Sequence, residues 1–203
     1  MIMKPQGYDE APAFTGESVT LPAGLYVCEI IQATEVVSRN ERKQLALLFD
    51  IAEGENKGFY AAQFAAAKRI DENAKWKGVH KQTEDGTSLS FFKGLITSIE
   101  KSNPGYSFPW GKKDNEKSLV GKKFGAVMGR EQFLTNDGRK AFATKIVQVR
   151  SVDGLKDAKI PEDHLLPDDE GNRFRSAVSY NGPVGNDGFV NIPEGIDEEL
   201  PFM

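Results

Sequence analysis

Two tryptophans set among lysines are the residues of this chain best suited to a chemistry of their own. Trp76 lies between Lys75 and Lys77, and Trp110 stands just before Lys112 and Lys113. Flat rings beside cations suit an unpaired nucleic-acid strand: bases stack on the rings while ammonium and guanidinium groups hold the phosphates. Tyr60 offers a third ring, with Lys57 close before it. Further cations sit in two polar stretches, Arg39, Arg42 and Lys43 in one, Arg139 and Lys140 in the other, with Lys145 following. The alternative for any ring is plain packing. Phe64 and Phe108 are read as core, whereas Trp76 and Trp110 stand open between stacking and packing.

Other chemistries lack their residues. There is no Gly-rich phosphate loop ending in Lys-Ser/Thr and no His-Glu-x-x-His. No Gly-x-Ser-x-Gly elbow occurs either. Two histidines, His80 and His164, and one cysteine, Cys28, are too few for a Cys/His zinc site. Asp168, Asp169 and Glu170 sit next to Pro167 in a stretch without an apolar frame, which reads as a solvated acidic run. Cys28 falls inside a strand-like segment and reads as a small core residue. The expectation is a protein that is not an enzyme and needs no metal or cofactor.

The elements that must carry these residues follow from patterning. Gly24–Val37 is β-branched and aromatic and reads as a first strand. In residues 44–52, Leu45, Leu47, Phe49 and Ile51 alternate onto one face, the pattern of a half-buried second strand. Residues 59–64 read as a third strand, and 65–87 as irregular with a helical turn near 65–70. Residues 88–102 form an amphipathic helix on Phe91, Phe92, Leu95, Ile96 and Ile99, all read as core, and Asn103-Pro104-Gly105 stops it. Strands at 121–133 and 141–149 flank Asn136-Asp137-Gly138, a hairpin signal.

The predicted fold is mainly β: a five-stranded OB-type Greek-key barrel with one amphipathic helix between strands 3 and 4. An up-and-down barrel and an α+β sandwich are the alternatives. Nucleic acid on an OB fold meets strands 2 and 3 and the 1–2 and 4–5 loops. Those loops are the two basic stretches, expected on one side of the barrel.

Charge divides the chain. Residues 1–150 carry 22 Lys and Arg against 18 Asp and Glu, while 151–203 carry 4 against 12. Periodicity also ends at Ser151. The expected organisation is a nucleic-acid-binding body over 1–151, opened by a lead-in arm over 1–23, and an acidic Pro/Gly-containing tail over 152–203. Mean hydropathy is −0.46, no apolar run could span a membrane, and the N-terminus has no secretory signal. The expected location is cytoplasmic.

The chain ends Asp197-Glu198-Glu199-Leu200-Pro201-Phe202-Met203. This resembles the acidic tip of bacterial single-stranded DNA-binding proteins, which closes on acids, an aliphatic residue, Pro and Phe. Here Met203 follows the Phe that is terminal in that family. The body resembles phage and prophage single-stranded DNA-binding proteins in Gly24-Leu25-Tyr26, Lys57-Gly58, Glu100-Lys-Ser-Asn-Pro104, Gly121-Lys-Lys-Phe124 and Asn136-Asp-Gly138. The resemblance implies binding and protection of single-stranded DNA in phage replication and recombination. It implies that Asp197, Glu198, Glu199, Leu200, Pro201 and Phe202 dock replication or recombination proteins. A single OB fold binds a strand weakly, so a homo-oligomer is a further expectation. A protein-interaction adaptor without DNA affinity is the alternative reading.

Overall fold

The computed structural model describes residues 3–6, 8, 20–135 and 138–166. Five strands, β1 (Gly24–Val37), β2 (Lys43–Ile51), β3 (Val79–Thr83), β4 (Lys123–Leu134) and β5 (Lys140–Arg150), form one antiparallel sheet in the order β3-β2-β1-β4-β5. The run β4-β1-β2-β3 has the Greek-key order, with the fourth strand returning beside the first. β1 serves both neighbours by dividing its length: Gly24–Glu29 pair with β4 and Cys28–Val37 with β2, with a bulge between Ile30 and Gln32. Such a bulge bends a strand and increases its twist.

β3 and β5 are the two outer edges and are not hydrogen-bonded to each other, so the sheet is not closed into a barrel. Helix α2 (Leu89–Ser102) lies between β3 and β4 in the chain and packs against β3, β4 and β5. Leu95, Ile96 and Ile99 are its buried residues, each contributing about 2 kcal/mol by burial. Asn103 fixes where it ends. Its amide Nδ2 donates to the Ile99 and Lys123 carbonyls (2.7 and 2.8 Å), and its Oδ1 accepts the Lys123 N–H (3.0 Å). The helix terminus and the first residue of β4 are thereby held together.

The expected strand at 59–64 is instead the start of a helix, α1 (Phe59–Lys68). Two forces override the aromatic, strand-like opening. Ala61, Ala62, Ala65, Ala66 and Ala67 supply the strongest helix formers. Asp50, buried at the end of β2, accepts the otherwise orphaned N–H groups of Tyr60 (2.8 Å) and Ala61 (3.0 Å), and that of Ile51 (2.8 Å). The third strand is β3, inside the stretch read as irregular. β2 also departs from expectation: Ala46, Leu48 and Asp50 are buried along with the alternating apolar set, so both faces are covered.

The body continues past Ser151. A 3-10 turn (Asp153–Leu155) buries Leu155, and the Val152 N–H donates to Ser102 Oγ (3.0 Å). Further on, the His164 N–H donates to the Arg130 carbonyl (2.9 Å) and the Gln132 N–H to that of His164 (2.8 Å), a parallel bridge alongside β4. β1 pairs no further along β4 than Met128, so this segment takes up the vacant edge. The boundary expected at 151/152 therefore cuts through packed structure. Among the described residues, no helix is long and apolar enough to cross a membrane.

Candidate nucleic-acid interface

The loop between β1 and β2 is a tight bracket: the Arg42 N–H donates to Ser38 Oγ (3.1 Å) and the Ser38 N–H to the Arg42 carbonyl (2.9 Å). Its cations have different fates. Arg42 reaches Asp85 through Nε (2.9 Å) and Nη2 (2.6 Å), and also bonds the Asp85 carbonyl. Lys43 pairs with Glu35 at 3.0 Å, and that hydrogen bond and charge push the Lys43 ammonium pKa up. Arg39 is exposed and makes no ion pair among the described residues. Of this cluster, only Arg39 stands clear of a carboxylate among the described residues.

The β4–β5 connection is held by Thr135, whose N–H donates to the Arg139 carbonyl (2.9 Å) and whose Oγ1 accepts the Arg139 N–H (3.1 Å). Arg139 and Lys140 are exposed there. Lys145, further along β5, pairs across to Glu131 at 2.6 Å. The two basic loops were expected on one side. The registers place them at opposite ends of β1, one after Val37 and the other beyond Gly24, so only bending of β1 could turn them toward one strand.

The aromatic candidates separate sharply. Tyr60 is buried and packs edge-on against Phe49 and Phe59 (ring centroids 5.4 and 5.3 Å). Burial pushes its phenol pKa up. Trp76 is buried too: its indole N–H donates to the Phe49 carbonyl (3.1 Å), and its ring lies against Phe64. Neither can receive a base, which corrects the expectation for both. Helix α1 moved Tyr60 inward, and a backbone carbonyl inside the core gave the Trp76 N–H a partner. Trp110 is the opposite case. It is 62% exposed, resting edge-on against buried Phe108 (4.6 Å) and against Phe92 of α2 (6.2 Å).

Lys112 and Lys113 follow Trp110 on the same loop, both exposed and without ion pairs among the described residues. The loop's one short-range pair, Lys117 with Asp114 at 3.3 Å, leaves them out. Lys57 is exposed in the turn before α1. Sequence reasoning missed Phe91, which is 47% exposed and not core. The signal was its phase, one residue off the stripe through Phe92, Leu95, Ile96 and Ile99.

Cys28 is fully buried as expected, and burial pushes its thiol pKa up, leaving it unreactive. Among the described residues, no group of three His, Cys, Asp or Glu side chains could hold a metal ion. The residues expected to dock partners, Asp197, Glu198, Glu199, Leu200, Pro201 and Phe202, lie outside the described residues, as do Asp168, Asp169 and Glu170. No protein-family model and no curated protein matches the chain.

Proposed function

We propose that this chain is a non-catalytic, OB-type single-stranded DNA-binding protein of phage origin. It protects unwound DNA during replication and recombination, and its acidic C-terminal tip recruits proteins of those processes. The observation that carries the reading is the Trp110 platform: an exposed indole packed on Phe108 and Phe92, followed by two exposed lysines that make no ion pair among the described residues. Base stacking needs an exposed ring held in place, and phosphates need cations within a few residues. The Greek-key order, with a helix between β3 and β4, supports the OB-type reading of an open sheet.

The test is fluorescence anisotropy of a labelled oligo-dT of about 30 nucleotides at two salt concentrations, with a duplex as competitor. Binding that weakens steeply with salt and resists the duplex is expected. Trp110→Ala should weaken it about 5- to 150-fold, the equivalent of roughly 1–3 kcal/mol of stacking. The chain has two tryptophans and Trp76 is buried, so quenching of intrinsic fluorescence by the oligonucleotide reports on Trp110. No binding at low salt would refute the reading and favour an adaptor working through its tail.

A further inference from the structure

Helix α2 turns one face into the core and the other toward β5. Ser90, Lys93, Gly94, Thr97, Ser98 and Lys101 recur at three- and four-residue spacing on that second face. With Gln148–Ser151 and Gly154 they line an open groove of about 500 Å³. Three of its lining residues are cations, Lys93, Lys101 and Arg150, and none is an acid. None of the three makes an ion pair among the described residues; Arg150 Nε donates instead to the neutral Gln148 Oε1 (3.0 Å). The acids nearby are occupied elsewhere. Glu100, the sole acid of α2, accepts the Phe108 N–H (2.8 Å), β5 contains none, and Asp153 pairs with Lys156 (3.4 Å).

We propose that the groove between α2 and β5 binds the phosphodiester backbone of single-stranded DNA through Lys93, Lys101 and Arg150. This rests on the DNA-binding reading above and adds a contact surface apart from the 1–2 and 4–5 loops. Lys93 and Lys101 are eight residues apart, about 12 Å along the helix, too far for one phosphate to touch both but suited to a run of them. The hydroxyls of Ser90, Thr97 and Ser98 supply neutral donors between the cations. Phe91 lies one turn before Gly94 on the helix, so a half-exposed ring flanks the groove where a base can rest.

Gly94 makes a clean test possible. A Cβ there would meet no atom within 4 Å, so a larger side chain enters the groove without a clash and with better helix propensity than glycine. Gly94→Glu should keep its melting temperature or raise it, yet bind oligo-dT at least about tenfold more weakly. Gly94→Ala should bind like the parent. Ala66→Glu, on the exposed side of α1, controls for net charge. Replacing Lys93, Lys101 and Arg150 with Gln should flatten the dependence of log K on log salt by about 2, three phosphate contacts at roughly 0.7 each. If the parent binds and Gly94→Glu binds equally well, or no worse than Ala66→Glu, the groove assignment is overturned while the DNA-binding reading stands. If the parent does not bind oligo-dT, both fall.

Discussion

His80 offers a quantitative check on the core geometry through pH. It sits on β3 opposite Leu47, and its Nε2 is shut off from solvent with no hydrogen-bond partner among the described residues. Burial lowers its pKa from 6.5 to about 4, because the protein supplies nothing to replace the hydration of an imidazolium. The unfolded chain takes up the proton near pH 6.5 and the folded chain only near pH 4. Between those values the unfolded state binds more protons, so stability falls as pH drops through that window and is complete above it. The two pKa values set the full loss at about 3 kcal/mol, with about 2 kcal/mol of it reached by pH 5. In a domain of this size that corresponds to roughly 4–8 °C in Tm. The assay is circular-dichroism melting of the parent, His80→Gln and His80→Phe at pH 8 and pH 5. Carboxylates titrate in all three proteins, so the informative quantity is the extra loss in the parent. An equal loss in parent and variants would show that the imidazole is not sequestered as described.

Other side chains give sharper yes-or-no outcomes. Asp50→Ala strands the N–H groups of Ile51, Tyr60 and Ala61, and should cost about 2–4 kcal/mol in urea unfolding. Gly78→Ala should be at least as damaging. A Cβ there would lie 2.3 Å from the Phe49 carbonyl oxygen and 2.9 Å from the Trp76 indole nitrogen, so the Trp76–Phe49 hydrogen bond has to give way. Its signature is a red-shifted Trp76 emission in a Trp110→Phe background. Arg42→Gln, by contrast, removes an exposed ion pair and should change stability by less than about 1 kcal/mol.

What could be read from the sequence divides along physical lines. β1, α2, β4 and β5 were legible because each carries a long, regular apolar pattern. α1 and β3 were not. The alanine run and the Asp50 carboxylate that make residues 59–68 helical act through propensity and a tertiary hydrogen bond, and neither leaves an aromatic period-2 or 3.6 signature. β3 is Val-His-Lys-Gln-Thr, polar in four of five positions, and is a strand because β2 offers it an edge. The candidate interface shows the same split. Basic loops can be seen in a sequence; whether a carboxylate has already claimed Arg42, Lys43 or Lys145 cannot. Trp76 and Trp110 look alike among lysines, and only tertiary packing, with the Phe49 carbonyl taking the Trp76 N–H, separates them.

The sheet's order also carries a consequence for synthesis. β1 is made first yet ends in the middle of the sheet, with Glu29 waiting for Lys123, 94 residues later. At roughly 5–20 residues per second the ribosome needs about 5–20 s to deliver that partner. β2 can zip onto the far half of β1 meanwhile, so the nascent chain carries a hairpin with one open edge over Gly24–Glu29. Pairing across such a separation is slow to nucleate, and an unpaired edge is where two copies would meet. Yield of folded protein should therefore depend on conditions during translation more than the stability of the finished sheet would suggest.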